Sequence, residues 1–176
     1  MKEKLRNDYR YLRANIINKD LKDNIICSKV ISNKKVICSD TILIYGSNNE
    51  EVSTIKLIEY FLKIKKVGVP RIENDVMNFY YIKSIDELKK GYFGLLEPIT
   101  NDKVEVFDNT VSITPGICFS KDLYRIGYGK GFYDRFYDKY NIYSIGLCYS
   151  DCLVNYIPND KYDRKVNEII TDWMIL

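Results

Sequence analysis

The sequence predicts one α/β domain built around a largely parallel sheet, and three observations carry that expectation. Short apolar runs suited to buried strands alternate with longer stretches of helical periodicity. The chain has 176 residues, enough for one ordinary core and too few for two. No repeat, low-complexity stretch or linker divides it, so residues 1–176 are expected to fold as a single domain.

Leu5, Tyr9, Leu12 and Ile16 fall on one stripe of a first helix, with Lys and Arg on its other faces. A second helical pattern covers about Leu21 to Val30. Thr41-Ile42-Leu43-Ile44-Tyr45 is an apolar run closed by Gly46, as in a buried parallel strand. After the loop residues Gly46-Ser47-Asn48-Asn49, a helix is expected from about Ser53, as N-cap, to Lys66. Val67-Gly68-Val69-Pro70 reads as the next strand, its end marked by the proline, and Asn78-Phe79-Tyr80-Tyr81-Ile82 as another. Ser84-Ile85-Asp86-Glu87 has capping-box spacing and opens a short helix. Gly91 to Pro98 reads as loop, and Thr110-Val111-Ser112-Ile113 as a strand stopped by Pro115-Gly116. A helix from Phe132 towards Tyr140, a strand from Tyr143 to Leu147 and the apolar pair Ile169-Ile170 complete the pattern.

Composition narrows the chemistry. The net charge of +3 is spread along the chain, which argues against a nucleic-acid surface. No segment approaches the ~20 apolar residues of a membrane span, and the start lacks the apolar stretch of a signal peptide. Five cysteines without a C-x-x-C pair suit a cytoplasmic protein with reduced thiols. Histidine is absent, so no Ser-His or Cys-His nucleophile pair and no His-containing zinc site can form. Chemistry that needs mainly positioning and charge neutralisation, such as phosphoryl transfer, survives that exclusion best.

Gly127, Gly129 and Gly131 are the one glycine cluster, between Arg125 and the helix expected at Phe132. Glycines let backbone N–H groups approach an anion, and a helix start adds free donors and partial positive charge. Arg125 and Lys130 bring full charges to the same turn. A tight turn with solvated basic residues is one alternative, and a dinucleotide or methyl-donor site is another. Those sites usually follow an apolar strand directly, whereas the polar, turn-like Ser120-Lys121-Asp122-Leu123-Tyr124 precedes this one.

Pro115-Gly116-Ile117-Cys118-Phe119-Ser120-Lys121, followed by Arg125-Ile126-Gly127-Tyr128-Gly129-Lys130-Gly131-Phe132-Tyr133-Asp134-Arg135, resembles the signature of the 5-formyltetrahydrofolate cyclo-ligases. Lys2-x-x-Leu5-Arg6, Glu51-Val52-Ser53-Thr54, Phe93-Gly94-Leu95-Leu96-Glu97-Pro98 and a C-terminal block with Ile157-Pro158, Asp163 and Ile169-Ile170-Thr171 resemble further family stretches in the same order. The resemblance spans nearly the whole chain. It implies a three-layer α/β/α fold similar to the NagB/RpiA/CoA-transferase-like folds, in a monomeric enzyme acting on small molecules. The implied reaction converts 5-formyltetrahydrofolate and ATP to 5,10-methenyltetrahydrofolate, ADP and phosphate, with Mg²⁺ as cofactor.

By the same resemblance, Lys2, Lys4, Leu5 and Arg6 of the first helix and residues Arg125, Ile126, Gly127, Tyr128, Gly129, Lys130, Gly131, Phe132 and Tyr133 bind ATP. Lys130, Arg125 and Tyr133 are the catalytic candidates. Gly46, Glu51, Tyr128, Gly129, Lys130, Gly131 and Phe132 face the folate, with Glu51 matched to its pterin amide and amino donors. Asp134 and Asp163 are the Mg²⁺ candidates. Ordinary explanations stand beside each: a solvated helix face for Lys2 and Arg6, a helix-start acid for Glu51, and a carboxylate complementing a helix dipole for Asp134. The family's usual histidine before Asp163 is Tyr162 here, and Asn167 stands where an aspartate is common. Two rival functions therefore remain: a folate- or nucleotide-binding protein of the same fold without turnover, and a methyltransferase-like domain.

Overall fold

The structure, a computed structural model, describes residues 1–91 and 94–176. Its elements in chain order are α1 (Lys2–Ala14), α2 (Lys19–Ile31), α3 (Lys34–Cys38), β1 (Thr41–Ile44), α4 (Ile55–Phe61), β2 (Lys66–Glu73) and β3 (Val76–Ile82). Then come β4 (Leu88–Lys90), β5 (Leu96–Pro98), β6 (Thr110–Thr114), β7 (Cys118–Ser120), β8 (Arg125–Ile126), α5 (Phe132–Lys139), β9 (Tyr143–Cys148), β10 (Leu153–Val154) and β11 (Glu168–Thr171).

A six-stranded sheet in the order β11-β9-β6-β1-β2-β3 forms the centre, parallel throughout except for β3. All four residues of β1 are buried, as expected for a strand covered on both faces. Side chains alternate across it. Ile42 and Ile44 pack with Val30, Val36, Leu57, Ile58 and Phe61 under α2, α3 and α4. Leu43 points the other way, into a cluster with Met77, Phe79, Val104 and Phe136 of α5. Each fully buried Ile or Leu stabilises by about 1.5–3 kcal/mol relative to the exposed side chain, so these alternating contacts set the register. The expected α/β layering around a mostly parallel sheet is therefore present.

Several elements depart from the sequence reading. The helix expected to run to Lys66 ends at Phe61, because Lys66 opens β2 opposite Thr41 of β1 and must be extended. Thr54, not Ser53, occupies the N-cap position, and its side chain makes no capping bond. Pro70 does not end its strand: β2 continues to Glu73, pairing Pro70 with Phe79. Pairing with β1 stops at Gly68, so the missing N–H at Pro70 costs no ladder bond on that side. A two-residue turn joins β2 to β3, with Asn74 and Asp75 both in the left-handed region (φ 50° and 59°) that matches hairpin twist.

Ser84 does cap a single 3-10 turn, accepting from the Asp86 amide, while Glu87 bonds the Lys83 amide instead of completing the box. The segment expected as loop up to Pro98 contains β5, the antiparallel partner of β4; Phe93 lies outside the described residues. The turn-like stretch after Cys118 is a hairpin, β7–β8, which carries the chain into the glycine segment. Helix α1 also differs: Leu12 is 37% exposed, Ile16 lies past the helix end, and Arg13, expected among the solvated basic residues, is 2% exposed.

Candidate active site

In open α/β sheets, ligands bind beyond the carboxyl ends of the strands where the strand order reverses. That point is β1: the chain continues to β2 on one side and later to β6 on the other. A cleft of about 980 Å³ opens there. Its lining includes Tyr45 and Gly46 after β1, Pro70 and Ile72 of β2, and Pro115 and Gly116 after β6. Lys2, Arg6 and Arg10 of α1 and the whole segment from Arg125 to Asp134 complete the walls, joined by Glu51 and Asp163.

The glycine segment leaves β8 and enters α5, with Gly131 at the N-cap. Gly129 has φ +90°, and a Cβ there would lie 3.2 Å from the Arg6 guanidinium. Arg6 in turn donates from Nε to the Gly127 carbonyl at 2.8 Å, pinning the segment to α1. Lys130 is exposed, and its ammonium has no hydrogen-bond partner among the described residues. The first amides of α5 have no intrahelical acceptor, so the turn offers N–H donors beside these cations.

Arg125 is differently placed. Its guanidinium donates to Asp134 Oδ1 at 2.8 Å and to the Arg164 carbonyl at 2.9 Å, and it lies over the rings of Tyr133 and Tyr137. The Tyr133 hydroxyl is buried beneath the cleft without a hydrogen-bond partner among the described residues. Across the mouth, Lys2 bonds Asp163 Oδ2 at 2.5 Å and Asp160 Oδ2 at 3.2 Å. Asp134 Oδ2 and Asp163 Oδ1 remain without partners among the described residues, and each carboxylate faces the cleft. Among the described residues no group of three or more His, Cys, Asp or Glu could hold a metal by itself. One spare oxygen on each of two carboxylates suits Mg²⁺, which keeps waters and takes further ligands from phosphates.

The same cleft holds Glu51, 4% exposed. Its loop is tied down locally. Thr54 donates to the Tyr45 carbonyl at 2.6 Å and exchanges hydrogen bonds with Ser47, while Asn48 Oδ1 accepts the amides of Glu50 and Glu51. Glu51 Oε2 accepts the Asn48 amide at 3.0 Å, and Oε1 accepts the Tyr128 hydroxyl at 3.2 Å. Burial pushes the Glu51 carboxyl above the usual range, with the Asn48 amide, Arg13 and Tyr128 pulling it back. Gly46 is needed for close approach: a Cβ there would stand 2.5 Å from the Leu96 carbonyl of β5.

The fold thus gathers Lys2, Arg6, Gly46, Glu51, residues 125–134 and Asp163 around one cleft. Lys4 is exposed outside its lining, and Leu5 packs against the main core. Tyr162 is 70% exposed, and Asn167 bonds Ser144 on β9, so neither unusual residue lines the cleft. Sequence reasoning passed over Arg10, Asn48 and Arg13. A signal existed for Arg13: positions 2, 6 and 13 fall within about 40° of one another on a helix.

A model of the 5-formyltetrahydrofolate cyclo-ligase family matches residues 1–172. A 5-formyltetrahydrofolate cyclo-ligase of Mus musculus is 28% identical, with 90% of this chain and 87% of the relative aligned. The solved structure of 5,10-methenyltetrahydrofolate synthetase from Aquifex aeolicus superposes with a TM-score of 0.88 at 27% identity, covering 99% of this chain and 91% of that one. The synthetase from Mycoplasma pneumoniae gives 0.78 at 25%, covering 97% and 98%. Signature segment, sheet order and cleft are thus accompanied by similarity over the full length, and the chain belongs to the 5-formyltetrahydrofolate cyclo-ligase family.

Proposed function

We propose that this chain is a single-domain, cytoplasmic and monomeric enzyme that converts 5-formyltetrahydrofolate and ATP to 5,10-methenyltetrahydrofolate, ADP and phosphate. Its small-molecule substrates would be its partners, without nucleic acid or membrane, and its layers would follow the three-layer NagB/RpiA/CoA-transferase-like plan. The observation that carries this reading is one cleft lined by two kinds of group. Arg6, Lys130 and the glycine segment supply cations and backbone donors, while the buried carboxylate of Glu51 supplies an acceptor pair.

ATP phosphates would lie against Lys2, Arg6 and the amides of the glycine segment, and the pterin's adjacent amide and amino donors against Glu51. The formyl oxygen then attacks the γ-phosphorus, forming an O–P bond as the bond to ADP breaks. Folate N10 attacks the activated carbon and loses its proton, and the C–O bond breaks to release phosphate, which carries that proton away as hydrogen phosphate. Lys130, with no competing partner among the described residues, would neutralise charge on the moving phosphoryl group. Arg125 would hold Asp134 and the start of α5 in place, and Tyr133 would line the floor beside them. Mg²⁺, arriving with ATP and held by Asp134 and Asp163, would supply further charge neutralisation at the phosphates.

The test is the ATP-dependent appearance of the methenylfolate chromophore with purified protein, matched mole for mole by ADP. Binding of both substrates without product would instead favour a turnover-free binding protein. The two residues that motivated that rival, Tyr162 and Asn167, are not among the residues that line the cleft. No response to either compound would reject the folate reading.

A further inference from the structure

Two charged residues, Arg13 at 2% exposure and Glu51 at 4%, are buried beside the cleft, and the hydroxyl of Tyr128 joins them. Arg13 Nη2 donates to that hydroxyl at 2.8 Å, and Asn48 Nδ2 approaches it at 3.3 Å. A phenol oxygen has two lone pairs and one hydrogen. With two donors on the oxygen, the hydrogen is directed to Glu51 Oε1. Oε2 receives the Asn48 amide. Each carboxylate oxygen has two acceptor sites, so each keeps one, side by side, for a ligand carrying paired N–H donors.

Arg13 also reaches two other parts of the cleft. Its Nη1 donates to the Gly116 carbonyl at 2.9 Å, just beyond β6, and its ring neighbour Tyr128 belongs to the segment that Arg6 holds through Gly127. One helix therefore seats the glycine segment at two consecutive residues. We propose that Arg13 is a positioning residue for the folate-binding carboxylate: it makes the Tyr128 hydroxyl a donor to Glu51 and so couples the seating of the glycine segment to the orientation of Glu51. This rests on the reading of Glu51 as the pterin contact.

Glu51 faces Arg13 of α1, Lys19 of α2, Tyr45 after β1, Glu50 in its own loop, Tyr128 of the glycine segment and Tyr133 of α5; Tyr149 after β9 donates to its carbonyl. Burial already raises its carboxyl, and Arg13 and Tyr128 both oppose that rise. Loss of either partner raises it further, so protonation begins at higher pH and the acidic limb of kcat/KM moves upward.

The experiment measures both KM values and the pH profile of kcat/KM for wild type, R13M, R13K and Y128F. R13M is expected to raise KM for 5-formyltetrahydrofolate about tenfold, the scale of one charge-assisted hydrogen bond, with KM for ATP changed less than about twofold. Its acidic limb shifts upward, and R13K falls between R13M and wild type. An unmoved limb with equal changes in both KM values overturns the proposal. Should R13M fail to fold, Y128F decides, because it removes the same proton donor and leaves Arg13 in the core. A wild-type limb in Y128F overturns the proposal too. Titration of the Glu51 carboxyl by carbon NMR, assigned through E51Q and recorded without substrates, reads the same shift in these variants. Wild-type protein without turnover would sink the functional reading, while that titration would still decide the role of Arg13.

Discussion

Arg125 donates to Asp134 Oδ1 at 2.8 Å, joining the last strand before the glycine segment to the first turn of the helix after it. The guanidinium side chain is 5% exposed and the carboxylate 27%. The Arg164 amide donates to the same Oδ1 at 3.0 Å, so this pair also anchors the segment bearing Asp163. Replacing Arg125 by Met would leave the Arg164 carbonyl without its donor and the carboxylate with the Arg164 amide alone. Folding should weaken by about 2–4 kcal/mol, below the value for a fully buried pair because Asp134 is partly solvated. Urea titration of R125M reads this directly. Turnover should fall more than folate binding, since the proposed nucleotide contacts of the glycine segment are disturbed first.

Lys130 should behave in the opposite way. Its ammonium touches no acceptor among the described residues, and the side chain is exposed at the lip of the cleft. K130A should leave stability within about 0.5 kcal/mol of wild type. Turnover should nonetheless drop about 10²- to 10³-fold if the ammonium meets charge developing on the transferred phosphoryl group. Unchanged kcat in a folded K130A would remove Lys130 from that step.

What could be read in advance follows from where each signal resides. β1 and the helix after the glycine segment were legible because their causes are local: an uninterrupted apolar run in one, a glycine N-cap and an amphipathic turn in the other. Pro70 misled because its tolerance depends on where a neighbouring strand stops pairing. The β2–β3 turn uses Asn74 and Asp75 at positive φ, so glycine-based turn signals did not mark it. Arg13 reads as solvated because its two shortest hydrogen bonds, to Gly116 and Tyr128, reach residues more than a hundred positions away in sequence.

Gly129 and Gly127 offer a contrast within one segment. A Cβ on Gly129 would sit in a left-handed backbone and 3.2–3.3 Å from the Arg6 guanidinium, whereas one on Gly127 would meet nothing within 4 Å. G129A should therefore lose about 1–2 kcal/mol and displace Arg6, raising KM for ATP. G127A should fold nearly as well as wild type. Thermal melts and ATP titrations of the two variants check this, and equal losses would mean the strain lies elsewhere.

The five thiols should separate by environment. Cys38 is exposed and Cys27 half-buried, while Cys118, Cys148 and Cys152 are buried. Burial pushes Cys118 and Cys152 up to about 12 and Cys148 in the same direction. Because the thiolate is the reactive form, an aromatic disulfide reagent in mildly alkaline buffer should titrate Cys38 quickly, Cys27 slowly, and the other three only after denaturation. The same shifts bear on alkaline stability. Thiols of the unfolded chain ionise near their ordinary value, while these three keep their protons when folded, so over that interval the native state binds more protons. Stability is then fully present below about pH 8.5 and declines as pH rises towards 12. Buried Tyr45 and Tyr133, also raised by burial, add to the decline at its upper end. Replacing Cys118 and Cys152 together by Ala removes two of these protons from both states. The double variant should begin less stable, through lost packing, yet lose stability less steeply with rising pH than wild type. Identical slopes from urea titrations between about pH 8 and pH 10.5 would show that neither thiol ionises differently on unfolding.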